Sequence, residues 1–281
     1  MATTRRISRR IEPKAVIEGA DVLLRRSIAP QLSNEFDPFL LFDHFAFNNP
    51  IEGPLVGFPM HPHRGIETVT YMLEGFVRHR DSLGNVGVIN AGDVQWMTSG
   101  RGILHEEMPR SGPTNTINGF QLWVNLPAAL KMGEPRYQEV NAQTIPSVTH
   151  DGATVRLVAG VFEETRGPVT DIAAAPQYLE ISLRAGASFS TAVPQGHTAL
   201  AYLFEGAAQF GADKDLVEST HMIVFDDGDQ IAVRTESGAR FMLITGAPSR
   251  EPIVPYGPFV MNTEHEIRQA IWELRNGTFI K

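Results

Sequence analysis

Short stretches of β-forming residues, each closed by turn residues, constrain the fold of this chain more than any other feature. Thr68–Leu73 is rich in β-branched and aromatic side chains and stops at Glu74-Gly75. Phe76–Arg80, Gly87–Ile89 and Asp93–Met97 follow it, with turn residues between them. Strands this short, at this spacing, are typical of a β-sandwich or a β-barrel. The sequence therefore predicts an all-β fold.

The same pattern occurs a second time further along the chain. Tyr202–Gly206 (YLFEG) repeats the pattern of Tyr71–Gly75 (YMLEG). Asp227–Asp229 repeats the pattern of Ala91–Asp93, at nearly the same separation from the preceding repeat. Self-similarity of this kind indicates a duplicated structural unit. We therefore expect two copies of one barrel.

An irregular segment separates the two predicted copies. Residues 125–146 lack a regular pattern and favour a connection between domains. We accordingly predict an N-terminal barrel domain in residues 1–135 and a C-terminal barrel domain in residues 136–281.

The last part of the chain has a different pattern. Thr263 and Glu266 form a predicted capping box, and apolar residues at spacings of three and four continue to Leu274. Gly277 is a suitable stop. The C-terminal domain is therefore expected to end in a helix.

The composition excludes several classes of function. The 281 residues carry a formal net charge of −8, which disfavours binding to nucleic-acid phosphates and to anionic membranes. The chain has no cysteine, which excludes disulfides, thiolate ligands and iron–sulfur clusters. It has no apolar run of membrane-spanning length, and its arginine-rich N-terminus lacks the apolar stretch of an export signal. We expect a cytoplasmic protein without a membrane or a direct nucleic-acid partner.

Two histidine-containing motifs predict a metal site. In His61-Pro62-His63 the imidazoles lie two residues apart, and in an extended strand such residues project from the same face. His105 and Glu107 have the same spacing, with Glu106 on the other face. Polar residues that alternate by chance are the simpler interpretation of a single His-x-His. The apolar flanks of both motifs favour a metal instead, because buried imidazoles and carboxylates need a partner. We predict a metal bound by His61, His63, His105 and Glu107.

The second copy serves as an internal control for this prediction. Superposing the two Tyr-x-x-Glu-Gly segments aligns His61 and His63 with Ala192 and Pro194. Superposing the two Gly-Asp turns aligns His105 and Glu107 with Phe241 and Leu243. None of these four counterparts is a histidine or a carboxylate, so we expect a metal-free second barrel. His197 and His221 belong to no same-face pair and are interpreted as structural.

Four runs of the sequence resemble the pirins, a branch of the cupin superfamily. The runs are Phe36–Phe45, Gly57–Tyr71, Gly92–Met108 and Tyr256–Thr263. The resemblance spans almost the whole chain. It implies a bicupin, in which two double-stranded β-helix (jelly-roll) barrels pack face to face, with a C-terminal helix. It also implies iron in the N-terminal barrel only, bound by His61, His63, His105 and Glu107.

Glu67 and Met60 bear on what this resemblance implies. Most other cupins take the carboxylate ligand from the first motif, at the position of Glu67, so a supporting or competing role for Glu67 stays open. Met60 stands where an acidic or polar residue is commoner in pirins, which predicts a more apolar pocket mouth.

Three imidazoles and a carboxylate suit Fe(II), although Mn, Co, Ni and Cu remain alternatives because affinity alone does not select among them. Pirins of this type are similar to quercetin 2,3-dioxygenases, which open flavonols with O₂ and release carbon monoxide. This resemblance predicts an oxidoreductase in which the metal binds the flavonol hydroxyl and Glu107 accepts its proton. Buried apolar residues are also ordinary core, so their assignment to a substrate pocket stays open. The predicted pocket residues are Phe45, Phe58, Met60, Trp96 and Met97.

Two functions without turnover stay open at this point. Eukaryotic pirins are nuclear transcriptional cofactors, which implies an iron-dependent, redox-sensing protein that acts through a protein partner. A metal-dependent sensor of small aromatic molecules is the other alternative. Ligand-induced thermal stabilisation without oxygen consumption would identify the sensor.

Overall fold

The computed structural model of the protein describes residues 2–48, 57–110, 116–213 and 215–281. These residues are almost entirely in strands and turns. The first strands are β1 (Ile7–Ile11), β2 (Lys14–Glu18), β3 (Val22–Ile28), β4 (Phe39–Asn48), β5 (Phe58–His63), β6 (Ile66–Glu74), β7 (Phe76–Asp81), β8 (Val86–Asn90), β9 (Val94–Thr98), β10 (Ile103–Arg110), β11 (Thr116–Asn125) and β12 (Arg136–Val140).

The remaining elements form the second half of the chain. They are β13 (Ser147–His150), β14 (Ala153–Ala159), β15 (Val161–Phe162), β16 (Thr165–Arg166), β17 (Gln177–Leu183), β18 (Ser188–Ala192), β19 (Thr198–Phe210), β20 (Asp215–Glu218), β21 (His221–Phe225), β22 (Gln230–Arg234), β23 (Ala239–Gly246), β24 (Val254–Tyr256), β25 (Phe259–Met261) and the helix α1 (Glu264–Arg275). Short 3-10 helices lie at Pro30–Glu35, Ala128–Leu130 and Ala142–Thr144. The prediction of an all-β chain with a C-terminal helix is confirmed.

The chain forms two compact units, and each unit takes one chain terminus from the other half. The first unit comprises Lys14–Ala142 and Ser249–Lys281, and the second comprises residues 2–13 and Gln143–Pro248. This division differs from a single boundary between residues 135 and 136. The physical reason is strand pairing and helix packing: β1 adds to β21 in the second unit, and α1 packs on β24 and β25 in the first.

The first unit is a barrel of two sheets. One sheet has the strand order β12-β9-β6-β11-β4-β3-β2, and the other has the order β5-β10-β7-β8. The predicted strands between Thr68 and Met97 correspond to β6, β7, β8 and β9. Gly75 ends β6 with φ +73°, a conformation that favours glycine, and a Cβ there would crowd two backbone carbonyl oxygens.

The second unit repeats this arrangement. β17, β23, β19 and β21 pair in the same sequence as β4, β11, β6 and β9 of the first unit. Its interior is one apolar cluster of buried residues, which includes Leu157, Ile181, Phe210 and Phe241. The predicted duplication is therefore present in the structure as two barrels of one topology.

The terminal helix α1 begins as predicted. The Thr263 side chain accepts a hydrogen bond from the backbone N–H of Glu266, and the Glu266 carboxylate accepts one from the backbone N–H of Thr263. Gly277 follows the helix with φ +70°. Within the described ranges, no helix is long and apolar enough to cross a membrane.

Candidate metal centre

Two neighbouring strands of the first barrel bring three imidazoles together. His61 and His63 lie on β5, and His105 lies on β10, directly opposite His61 in an antiparallel pair. Because residues two apart share one face of a strand, all three rings point to the same side. Their ring centroids lie 4.4 to 5.0 Å from one another.

The hydrogen bonds of His61 and His63 indicate which ring nitrogen of each faces the cluster. Nδ1 of His61 lies 2.8 Å from the carbonyl oxygen of Pro59, and Nδ1 of His63 lies 3.3 Å from that of Pro258. A carbonyl only accepts, so each Nδ1 carries the proton of the neutral ring. The two Nε2 lone pairs then face each other at 3.1 Å. A cation between them would remove this repulsion.

His105 gives independent support for a cation. Its side chain is buried, and neither of its ring nitrogens has a hydrogen-bond partner among the described residues. Burial, together with the neighbouring His61 and His79, lowers the pKa of His105 well below its usual value. Burial also lowers the pKa of His63, with contributions from His61 and His105. The buried imidazoles are therefore neutral and able to donate their lone pairs to a metal.

Glu107 lies beside the cluster. Its Oε2 is 4.0 Å from Nε2 of His105. Thr70 Oγ1 donates to Oε1 at 2.8 Å, and Gln121 Nε2 donates to Oε2 at 3.0 Å. The carboxylate is therefore held in a fixed orientation from β6 and β11. Glu106 faces the other way and pairs with Arg80.

These distances can be compared with the requirements of one ion. Two ligand atoms bound at about 2.1 Å can be no more than about 4.2 Å apart. Two separations meet this limit: Nε2 of His61 is 3.1 Å from Nε2 of His63, and Nε2 of His105 is 4.0 Å from Oε2 of Glu107. The donor set of three nitrogens and one oxygen suits a divalent transition metal. The residues present therefore fit such a metal.

Glu67 occupies a different environment from the histidines. Thr70 on β6 points to Glu107, and Glu67, three residues earlier on the same strand, projects from the opposite face. Its carboxyl group accepts a hydrogen bond from Thr98 at 2.8 Å. Burial raises the pKa of Glu67. Glu67 therefore lies outside the histidine cluster.

A cavity of about 340 Å³ adjoins the histidines. This volume is within the range of small-molecule sites. The cavity is lined by Glu18, Gly19, Arg26, Pro30, Gln31, Leu41, Asp43, Phe58, Pro59, His61, His63, Gln121, Trp123, Gly257 and Pro258.

Of the five predicted pocket residues, the structure places Phe58 on the cavity wall. Phe45 is buried in a neighbouring apolar cluster, and Trp96 and Met97 are also buried. Met60 is 43% exposed and does not line the cavity.

The cavity also contains residues that the sequence interpretation missed. The Trp123 ring meets that of His63 edge to face, with centroids 5.1 Å apart. Arg26 donates to both oxygens of Asp43, at 2.8 and 2.7 Å, and to Glu18 at 2.7 Å. Their sequence signal is weak because they come from four separate strands that only the fold brings together.

Among the described residues of the second barrel, no comparable cluster occurs. The Gly92-Asp93 turn precedes β9, whereas the Asp227–Asp229 turn follows β21, the counterpart of β9. The counterpart of β10 is therefore β22, and Phe241 and Leu243 on β23 are not the counterparts of His105 and Glu107.

The strand pairing gives the corrected counterparts. His61 lies opposite His105, and Ala192 lies opposite Gln230. The counterparts of His105 and Glu107 are accordingly Gln230 and Ala232. Neither is a histidine or a carboxylate. With the corrected counterparts, the comparison of the two barrels therefore still predicts that the second barrel binds no metal.

A double-stranded β-helix with clustered imidazoles on its inner wall defines a cupin barrel, and its duplication makes this chain a bicupin. The sequence matches the Pirin family over residues 22–124 and the Pirin C-terminal cupin domain over residues 178–280. It is 42% identical to the Pirin of Homo sapiens over 282 residues, covering 98% of this chain and 94% of the human protein. The chain belongs to the pirin family.

Solved structures agree with this assignment. A quercetin 2,3-dioxygenase from Acinetobacter baumannii has a TM-score of 0.91 and 33% identity, with 99% of each chain covered. The bacterial pirin YhhW of Escherichia coli, solved in complex with nickel(II), has a TM-score of 0.68 and 20% identity, covering 85% of this chain and 99% of that one. At that identity the likeness shows the fold alone.

Proposed function

We propose that this protein is an iron-dependent dioxygenase that opens the heterocycle of flavonols such as quercetin with O₂ and releases carbon monoxide. The observation that carries the proposal is the convergence of three imidazoles and a fixed carboxylate beside a cavity of small-molecule size, which His61 and His63 line. The similarity to a quercetin 2,3-dioxygenase supports the choice of substrate.

His61, His63, His105 and Glu107 would hold the ion. A bound divalent iron would supply Lewis acidity toward the flavonol 3-hydroxyl and redox chemistry toward O₂. The nitrogen and oxygen donors suit Mn, Co, Ni and Cu as well, so the choice of iron is part of the proposal.

Glu107 is the proposed acceptor of the hydroxyl proton. Each carboxylate oxygen has two lone pairs, and each accepts one hydrogen bond, from Thr70 or from Gln121. A lone pair therefore remains for the substrate while the carboxylate stays oriented. Such a fixed base acts without having to reorganise during proton transfer.

The cavity wall would bind the rest of the substrate. Trp123, Phe58 and Leu41 offer apolar surface to a flat aromatic ring system. The carboxylates of Asp43 and Glu18, bound to Arg26, offer acceptors for phenolic hydroxyl groups. The proposal includes no nucleic-acid partner, since the chain carries a formal net charge of −8.

Turnover of quercetin by iron-loaded protein tests the proposal. We expect O₂ uptake, loss of the flavonol absorbance band and release of CO in a 1:1:1 ratio, all abolished by a chelator. Full iron occupancy without O₂ uptake would reject the enzymatic function. Thermal stabilisation by quercetin under those conditions would instead indicate a sensor.

A further inference from the structure

The C-terminal run Tyr256–Thr263 contributes directly to the candidate metal centre. Pro258, in the turn between β24 and β25, supplies the carbonyl that accepts from Nδ1 of His63. Gly257 and Pro258 also line the cavity. The orientation of His63 therefore depends on where a segment 195 residues away in sequence is held.

The strand β25 is held next to the His63 motif by backbone contacts. The backbone N–H of Val260 donates to the carbonyl of Arg64 at 3.1 Å. Gly65 adopts φ +81°, and a Cβ at this position would overlap the carbonyl oxygen of Val260. Only a glycine allows β25 to approach this closely.

Lys131 joins these two segments from a third direction. Its side chain is 1% exposed. Its Nζ donates to the carbonyl of Gly65 at 2.7 Å, to Oδ1 of Asn125 at 2.7 Å and to the carbonyl of Val260 at 2.8 Å. Three acceptors match the three N–H bonds of an ammonium group.

We propose that Lys131 is a positioning residue of the metal centre. By tying Gly65, two residues after His63, to Val260, two residues after Pro258, it fixes the contact that orients the His63 imidazole. Outer contacts of this kind set the tautomer and direction of a metal-binding histidine.

Fold stability alone does not account for this lysine. Burying a charged group costs free energy, which its three hydrogen bonds must offset. A methionine at position 131 keeps the length of the side chain and releases the link between Gly65 and Val260, at a cost in stability because three acceptors lose their donor. Metal affinity and proton exchange at His63, measured on folded protein, therefore separate a positioning role from a structural one.

Cobalt(II) affinity, measured by competition with a chromophoric chelator, tests the proposal. Lys131→Met should bind cobalt about 10-fold more weakly, the lower end of the range for outer contacts, at a temperature where circular dichroism shows that the metal-free variant is folded. Lys14→Met, at an exposed position of the same unit, is the control and should match the wild type. Equal cobalt affinity of Lys131→Met and the wild type would overturn the proposal.

Paramagnetic NMR of the cobalt-loaded protein gives a second readout. The wild type should show a shifted, slowly exchanging Nδ1–H signal from His63, and Lys131→Met should exchange this proton faster. If Lys131→Met does not fold, Asn125→Ala must shift affinity and exchange in the same direction, by less. Unchanged exchange in the variant that folds would contradict the proposal.

The inference rests on the proposed metal centre but not on flavonol turnover, because no substrate is present in these experiments. Wild-type protein that fails to bind cobalt would refute the metal centre itself. Cobalt binding by the wild type, with an unchanged cobalt affinity in Lys131→Met, would refute the positioning role alone.

Discussion

The two barrels differ most clearly at a matched position on their inner walls, where three neighbouring strands meet. The triplet is Asp43, Gln121 and Thr70 in the first barrel, and Leu179, Leu243 and Ala201 in the second. The strands and the register are the same. One barrel therefore places a carboxylate, an amide and a hydroxyl where the other places three apolar side chains.

The same fold therefore uses this position for apolar packing in one barrel and for hydrogen-bonded polar groups in the other. The apolar triplet belongs to a single buried cluster, which stabilises the second barrel in the ordinary way. Each member of the polar triplet needs a partner: Asp43 has Arg26, and Thr70 and Gln121 both donate to Glu107. The first barrel thus has less apolar burial at this position and instead positions polar groups beside the candidate metal centre. The following experiments test this difference between the two barrels.

The largest expected effect is loss of metal from the first barrel. His63→Ala or His105→Ala should empty the site, while Glu106→Ala should leave it occupied, because Glu106 pairs with Arg80 on the other face. Elemental analysis should give one metal per wild-type chain and about none in the histidine variants. Close to two metals per wild-type chain would show that the second barrel also binds one.

The next effect concerns catalysis. Glu107→Gln keeps an oxygen that can coordinate but cannot accept a proton, so flavonol turnover per bound iron should fall about 10²–10⁴-fold. Steady-state oxygen uptake, normalised to iron content, measures this. Unchanged turnover per iron would reduce Glu107 to a ligand and require another base.

Exchanging one residue between the barrels has a smaller effect on stability. Leu243→Gln places an amide in an apolar cluster and should lower the free energy of unfolding by about 3 kcal/mol. The reciprocal Gln121→Leu should change it by no more than about 1 kcal/mol. Urea unfolding of the metal-free protein, followed by circular dichroism, compares the two variants. Equal losses of unfolding free energy would contradict the difference between the two barrel interiors.

The smallest expected effect is the pH dependence of the stability that Lys131 contributes to the first barrel. Burial lowers the pKa of Lys131 to about 7, against the opposing influence of Glu251, Glu266 and Asp37. Above pH 7 the unfolded chain therefore retains a proton that the folded chain has released, so stability rises with pH.

The comparison with Lys131→Met isolates this contribution. Between pH 7 and 8 the unfolding free energy of the wild type should gain up to about 1.4 kcal/mol relative to the variant. Parallel denaturation at the two pH values measures the gain. A constant difference would mean that the three oxygen acceptors keep the amine protonated.

Much of the first barrel could be predicted because its signals are local. The β-forming residues of β6 and β9, the capping box of α1 and the two-residue spacing of His61 and His63 depend only on near neighbours in sequence. These signals are sufficient to group the three histidines of the candidate centre.

The remaining features depend on contacts between distant residues. Gln121 and Asp43 reach the cavity because β11 and β4 pair, and Trp96 faces away because of the register of β9 with β6. The sequence gives no local sign of either pairing. The same holds for the two chain ends, since β1 and α1 each join the unit built from the other half.

The exchange of chain ends also sets an order of events during synthesis. Residues 249–281 reach the first unit only after the second barrel has left the ribosome. Until then His63 lacks the Pro258 carbonyl and Lys131 lacks one of its three acceptors. A chain that lacks residues 249–281 therefore carries an incomplete candidate centre, so we expect metal acquisition to follow the synthesis of this segment.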